Sequence, residues 1–393
     1  MSGSLRAAAL LCALSIPVLA TGAVGAARAQ DLDLHVVLPL TGGAGFVGQG
    51  SQKAMEAAQK VINDGGGIHG KQVHFVFHDD QSSPQVAVQI VDRLRSEPVI
   101  LGSDISAMCN AMAPLLTNGP FDYCFSPGIQ PKPGSYMFSS LVPLQDIAPA
   151  VFNFFRAKGW TKVALLTSTD ASGQDAEHGF DQALAREENK GINLVSRGHF
   201  NPTALNVSAQ MSEIRSAQPD VVIAWASGAP TATLLKGYAQ AGLSVPIVIG
   251  QANLAKQFMT QNAAILPKEF YLTAGLGSVV DGPLDLDPRT KAAREQYLKA
   301  LQAVNLTPEN ATEVTWDPTM LVVKVLRELP EGASAAQILE KMSSIQDYAG
   351  VSGIYDFKAR PNRGLKGGEV VVAKWNADKQ QFDAVTQPGG TLK

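Results

Sequence analysis

Short apolar runs, each leading into a loop and then an amphipathic stretch, recur along this chain. The run at 34–40 ends in a glycine-rich segment at 41–45, and apolar residues at helical spacing follow at 54–62. Further strands are predicted at 73–77, 99–101, 163–166, 221–225 and 246–249. Strands that alternate with helices and are apolar on both faces indicate parallel sheets covered by helices.

The length of the chain indicates more than one such sheet. The chain has 393 residues, and a single hydrophobic core stops growing at roughly 250–300 residues. The strand–helix series is interrupted near Pro143 and then resumes. We therefore predict an α/β protein made of two doubly wound parallel-sheet lobes.

The first 29 residues are typical of a secretory signal peptide. Arg6 is the only early charge, the run 7–19 is apolar, and small residues lead up to Ala29. This run is too short to span a bilayer, which takes about 20 residues. We expect cleavage before Gln30 and a protein that is free in the periplasm.

Charge and cysteine content exclude several classes of function. The net charge is −3 without a basic block, so we expect no nucleic-acid partner. Beyond the leader only Cys109 and Cys124 remain, and in an oxidising compartment they form either a disulfide or two buried thiols. Their spacing and the scattered histidines match no zinc site. No phosphate-binding loop or nucleophile elbow is present, so we expect no metal, no cofactor and no enzymatic activity.

Ligands of such sheets bind beyond the carboxyl ends of the strands, where loops and helix N-termini gather. Candidate binding residues should therefore directly follow the predicted strands. The segments that do so are 42–46, 104–107, 126–130, 170–173, 226–228 and 250–253.

Three short motifs carry a family resemblance: LPLTG at 38–42, INDGGGIHG at 62–70 and HDDQ at 78–81. In this order and spacing they resemble solute-binding proteins of the leucine/isoleucine/valine type, which have the type I periplasmic-binding fold. The resemblance implies a three-crossing hinge, with lobe 1 at 30–143 plus 277–355 and lobe 2 at 144–276 plus 356–393. It also implies a monomer that captures a small molecule and delivers it to an ABC permease in the inner membrane.

The binding positions of that family match particular residues here. Ser106 and Ala107 correspond to the hydroxyl and backbone N–H that hold a ligand carboxylate, and Gln130 replaces a smaller hydroxyl residue. Trp225 fits either an aromatic wall of the cleft or the core. The predicted ligand-binding residues are Phe46, Ile105, Ser106, Ala107, Gly128, Gln130, Ser172, Trp225, Ser227, Gln251 and Asn253.

Two departures from the family bear on the ligand. Amino-acid-binding members have a tyrosine where this chain has Ser172, and an acidic residue near Gln251, whereas the segment 250–253 has no carboxylate. A buried ammonium without a counter-charge costs several kcal/mol. The motifs LPKEFY at 266–271 and GIYDF at 353–357 resemble a branch associated with aromatic carboxylates. We therefore expect a benzoate-type ligand, with an amino acid as the alternative; a sensory receptor of the same fold is the alternative to a transport protein.

Overall fold

The structure is a computed structural model that describes residues 31–139, 142–365 and 369–392. The predicted signal peptide lies outside the described residues. The strands are β1 (Leu32–Leu38), β2 (Val73–Asp79), β3 (Val99–Gly102), β4 (Phe121–Cys124), β5 (Met137–Ser139), β6 (Lys162–Ser168), β7 (Asn193–Phe200), β8 (Val221–Trp225), β9 (Ile247–Ile249), β10 (Phe270–Ala274), β11 (Tyr348–Ala349), β12 (Ile354–Tyr355), β13 (Val371–Asn376) and β14 (Gln381–Ala384). The helices are α1 (Gly45–Asp64), α2 (Pro84–Arg93), α3 (Ser106–Met112), α4 (Leu144–Lys158), α5 (Ala171–Leu184), α6 (Ser208–Ala217), α7 (Ala229–Gln240), α8 (Lys256–Asn262), α9 (Pro288–Ala303), α10 (Asn310–Glu328) and α11 (Ala335–Ser344). Within these segments no helix is long and apolar enough to cross a membrane.

The first sheet is parallel throughout, with strand order β2-β1-β3-β4-β5. Val36, Leu101 and Tyr123 in its central strands are completely buried. Strands that are covered on both faces need apolar side chains on both sides, which is why these runs do not alternate with polar residues. The predicted α/β fold with parallel sheets is confirmed.

The second sheet is mixed, with strand order β14-β13-β10-β9-β8-β6-β7. Strands β6 to β10 are parallel, whereas β13 and β14 are antiparallel at one edge. The predicted parallel sheet of the second lobe therefore carries an antiparallel pair of strands at one edge. A tight turn joins β13 to β14, so this pair needs no crossover helix.

Helices from the C-terminal half of the chain return to the first sheet. Helix α10 packs along α1, and α11 contacts β4. We call residues 31–139 and 288–365 the first lobe, and residues 144–285 and 369–392 the second lobe.

The second crossing between the lobes lies later in the chain than the predicted position near Leu276. The backbone N–H of Val280 donates to the carbonyl of Phe382 at 2.9 Å, so the chain still follows β14 after Leu276. The first lobe resumes with α9 at Pro288. The sequence prediction placed the crossing directly after the last strand that has a periodic apolar pattern. The irregular segment that pairs with β14 has no such pattern in the sequence.

The third crossing is also displaced from its predicted position near Asp356. Asn362 Nδ2 donates to the carbonyls of Ser135 and Met137, each at 2.8 Å. The segment after Asp356 therefore belongs to the first lobe. The first lobe extends at least to Leu365, which forms a bridge with Tyr355 of β12.

Two buried carboxylates on α10 organise the segments around these crossings. Glu313 accepts hydrogen bonds from the backbone N–H of Gly277 at 3.0 Å and from Ser352 Oγ at 2.9 Å. Asp317 accepts from the backbone N–H groups of Val351 and Ser352, both at 2.8 Å. Burial raises the pKa of both carboxyls, and these donors counteract it. The carboxylates of one helix thus accept hydrogen bonds from backbone N–H groups that have no partner in a sheet.

A disulfide joins α3 to the end of β4. The Sγ atoms of Cys109 and Cys124 are 2.07 Å apart and the Cα atoms 6.2 Å apart. Both cysteines are fully buried. The disulfide therefore links the helix that follows β3 to the last residue of β4, at the same edge of the first sheet.

We predict that the protein lacking residues 1–29 has no free thiol when it is denatured without reductant. The bridge spans a sequence separation of 15 residues, for which the chain-entropy model predicts about 3 kcal/mol of stabilisation. Reduction should accordingly lower the Tm. Two titratable thiols per chain in the unreduced, denatured protein would contradict the prediction.

Candidate functional site

The loops that follow the strands of the first lobe lie against those of the second. A Cβ placed on Gly228 would lie 3.6 Å from the carbonyl oxygen of Gly43 and 3.9 Å from the ring of Phe46. Helix α3 of the first lobe contacts α5 of the second. The carboxyl ends of both sheets thus border a common cleft, as expected for a ligand site in such folds.

On the first lobe, the predicted carboxylate-binding residues form a compact hydroxyl pair. Ser106 Oγ lies 2.7 Å from Ser126 Oγ, which also accepts from the backbone N–H of Gly128 at 3.3 Å. A Cβ on Gly128 would lie 2.4 Å from Ser106 Oγ, so a side chain at this position would displace the Ser106 hydroxyl. Ile105 is half-buried directly before α3, and Ala107 is exposed in its first turn. The structure brings these four predicted residues together with Ser126.

On the second lobe, the predicted serines meet and the predicted asparagine has a structural role. Ser172 Oγ and Ser227 Oγ are 2.8 Å apart. Asn253 is fully buried; its side chain accepts from the backbone N–H of Gly228 at 3.1 Å and donates to the carbonyl of Ala226 at 2.9 Å. Asn253 therefore holds the loop after β8 in place.

Trp225 and Gln251 lie at neighbouring strand ends but differ in their surroundings. The Trp225 indole is 4% exposed; it packs edge-on against Phe180 at 5.5 Å and lies directly beside Gly250. Its place is thus in the core. Gln251 is 5% exposed, and its Oε1 accepts no hydrogen bond from the described residues. The Gln251 side chain is therefore the more available of the two for a ligand.

A cavity of about 250 Å³ lies between the lobes beside this site. Gln130 lines it from the first lobe, and Gln145, Asp175, His178 and Gly179 line it from the second. Sequence analysis identified Gln130 but missed the others. Asp175 lies one helical turn after Ser172, and that spacing on α5 was the available indication.

Arg363 was also missed as part of the site. It is 8% exposed, and its Nη1 donates to the carbonyl of Pro127 at 3.1 Å and to Ser139 Oγ at 3.3 Å. Its Nη2 also donates to the carbonyl of Ile129. Burial lowers the pKa of Arg363 to about 10. This guanidinium therefore positions the loop that carries Gly128 and Gln130.

Asp104 provides a buried carboxyl directly before Ile105. Its Oδ1 accepts from Ser51 Oγ at 3.1 Å, whereas Oδ2 has no hydrogen-bond partner in the described segments. Burial raises the pKa of Asp104 to about 7, and the nearby Asp80 adds to the rise. No group of histidine, cysteine or acidic residues that could hold a metal ion occurs among the described residues.

Comparison with known proteins gives a family match over most of the chain. The model of the periplasmic binding protein family matches residues 35–380. "Leu/Ile/Val-binding protein homolog 1" of Brucella abortus is 22% identical over 325 residues, covering 74% of this chain and 76% of that protein. "Leu/Ile/Val-binding protein homolog 2" of the same species is 24% identical over 335 residues, covering 79% and 80%.

Solved structures share the fold at low sequence identity. A branched-chain amino acid transporter substrate-binding protein from Streptococcus pneumoniae, in complex with isoleucine, is similar with a TM-score of 0.75 and 18% identity, covering 90% of this chain and 97% of that one. An ABC transporter solute-binding protein from R. palustris, in complex with benzoate, is similar with a TM-score of 0.69 and 18% identity, covering 90% and 94%. These proteins bind ligands and are not enzymes.

We predict that Asp104 makes the folded protein less stable as the pH rises from about 4 to about 7. Folded Asp104 keeps its proton up to about pH 7, while in the unfolded chain its carboxyl has the usual pKa of 3.8 and releases the proton there. The unfolded state thus binds fewer protons in this window, and its free energy falls relative to the folded state.

Asp104→Asn should make the fall in Tm across this pH range smaller, measured by calorimetry at closely spaced pH values. Glu309, whose pKa burial raises to about 7, acts in the same direction and should leave part of the fall in place. The exposed Asp378→Asn is the matched control and should show the full decrease. A pH profile of Asp104→Asn identical to that of the wild type would contradict the assignment.

Proposed function

The chain belongs to the periplasmic binding protein family, and on this basis we propose that it is the substrate-binding component of an ABC importer. The observation that carries the proposal is the cleft, in which Gln130 of the first lobe and residues of α4 and α5 of the second lobe line one cavity. The two lobes close on the ligand, and the inner-membrane permease recognises the closed form. The predicted signal peptide at 1–29 directs the protein to the periplasm.

The ligand in this proposal is a small carboxylate. Ser106 and the N-terminal turn of α3 supply a hydroxyl and backbone N–H groups, and unpaired N–H groups at a helix start favour an anion. The cavity of about 250 Å³ exceeds the roughly 150 Å³ that suffices for benzene. A single-ring or branched aliphatic acid therefore fits the available space.

An aromatic acid is the ligand we favour. The segment 250–253 offers no carboxylate, and Gln251, Ser172 and Ser227 offer neutral polar groups instead. The benzoate complex of the R. palustris protein is consistent with such a ligand on this fold. Relatives named for leucine, isoleucine and valine support an amino acid as the second candidate.

We predict that benzoate or 4-hydroxybenzoate binds at least tenfold more tightly than leucine, a difference of about 1.4 kcal/mol. A benzoate-type ring needs no counter-charge, whereas an ammonium bound against the segment 250–253, which has no carboxylate, loses its hydration without gaining a partner there. Side-by-side calorimetric titration with leucine, phenylalanine, benzoate and 4-hydroxybenzoate measures the difference. Sub-micromolar leucine binding with no response to either aromatic acid would refute the aromatic assignment.

We also predict that Ser106→Ala weakens binding of the tightest of these acids by roughly 1 to 3 kcal/mol, the range for a lost hydrogen bond to a charged group. Ser83→Ala, which removes a hydroxyl near the start of α2, serves as the control and should bind normally. Unchanged affinity of Ser106→Ala in calorimetry would show that the carboxylate docks elsewhere.

A further inference from the structure

One carboxylate oxygen in the cleft is buried but accepts no hydrogen bond from the described residues. Asp175 Oδ2 is shielded from solvent and has no hydrogen-bond partner in the part of the chain that the structure describes. The other side-chain oxygens of this kind near the cleft, Asp104 Oδ2 and Gln251 Oε1, are acceptors as well. A buried acceptor that lacks a donor destabilises the protein unless something else supplies the donor.

The unused oxygen lies beside the position proposed for the ligand carboxylate. The point that a Cβ on Gly128 would occupy is 3.8 Å from Asp175 Oδ2 and 2.4 Å from Ser106 Oγ. Asp175 belongs to the second lobe and Ser106 to the first. A molecule held between them therefore contacts a hydroxyl on one side and a carboxylate on the other.

The groups around Asp175 leave it able to accept a hydrogen bond. Burial raises the pKa of the Asp175 carboxyl, and attraction from Arg363 and His178 and a hydrogen bond from the Gln130 side chain offset only part of that rise. The Arg363 guanidinium donates hydrogen bonds to carbonyls of the 127–129 loop and to Ser139 Oγ. Oδ2 of this cavity-lining residue therefore keeps an accepting position that no donor of the described residues fills.

We infer that Asp175 Oδ2 accepts a hydrogen bond from the ligand, which is accordingly a small carboxylic acid that also carries a hydroxyl or ammonium group. The inference rests on the proposed function and narrows its ligand class. It makes Asp175 a specificity-determining residue. An acid without a donor group leaves this oxygen unpaired in the closed cleft, and sites built around such a contact discriminate strongly against analogues that lack it.

A structural role for Asp175 predicts a different result. A contact between Asp175 and Gln130 that only holds the lobes together would change the affinity of every ligand by the same factor. The ratio of two affinities cancels that factor, because closure is common to both ligands. The affinity ratio between an acid with a donor and the same acid without one therefore separates recognition from closure.

The experiment is calorimetric titration of the full mature chain with two matched ligand series. The aliphatic series is 4-methylpentanoate, 2-hydroxy-4-methylpentanoate and leucine; the aromatic series is benzoate with 3- and 4-hydroxybenzoate. In whichever series binds, we expect an acid with a donor to bind the wild type at least about tenfold more tightly than the acid without one. In Asp175→Asn this ratio should fall to about threefold or less, since the charged acceptor is gone.

Glu177→Gln is the matched control, because it removes a carboxylate from the same helix that is paired outward with Arg197 and His199. It should keep the wild-type ratio. Three results would overturn the inference. The affinity ratio in Asp175→Asn could equal that of the wild type, or the wild type could bind the acid without a donor more tightly. The third is that neither series binds. The wild-type ratios test it even if Asp175→Asn does not fold. A preference for the aliphatic series would overturn the aromatic ligand proposed above, while the ratios would still decide the role of Asp175.

Discussion

The cleft depends on a buried guanidinium. The loop after β4 carries Gly128 and Gln130 but has no neighbouring strand, so its carbonyls need donors from elsewhere. Arg363 supplies them, with hydrogen bonds to the carbonyls of Pro127 and Ile129. A planar group with several fixed donors suits this task, since one side chain satisfies carbonyls that point in different directions. The segment before the last crossing thus shapes the first-lobe wall of the cleft.

The buried carboxylates at the crossings and the carboxylates at the cleft differ in their hydrogen bonds. Glu313 and Asp317 each receive several donors from the segments around the crossings, and they act as supports for irregular backbone. Asp104 and Asp175 each keep an oxygen that has no partner among the described residues. Both of these lie in segments that follow strands at the cleft. Glu313 and Asp317 are thus supplied with donors, whereas Asp104 and Asp175 each keep an accepting position open.

The sequence predicted the elements better than their assignment to lobes. Runs such as 34–40 and 221–225 became β1 and β8 because burial on both faces demands apolar residues, and that requirement is visible in the sequence. The last two crossings were placed too early, near Leu276 and Asp356. Their segments are irregular, and hydrogen bonds such as that of Asn362 with Met137 have no periodic pattern.

The sequence alone also predicted which loops border the cleft, because the carboxyl ends of parallel strands gather at one edge. The pairing of Ser106 with Ser126 and the approach of Asp175 to Gly128 were decided by tertiary structure. Because the segment 250–253 has no carboxylate, the sequence indicated a cleft without a carboxylate. Helix α5 of the second lobe nevertheless brings the Asp175 carboxylate close to Gly128 of the first lobe. These residues are far apart in the chain and meet only because the two sheets face each other. The local sequence pattern predicts helices and strands but not the distance between residues on different lobes.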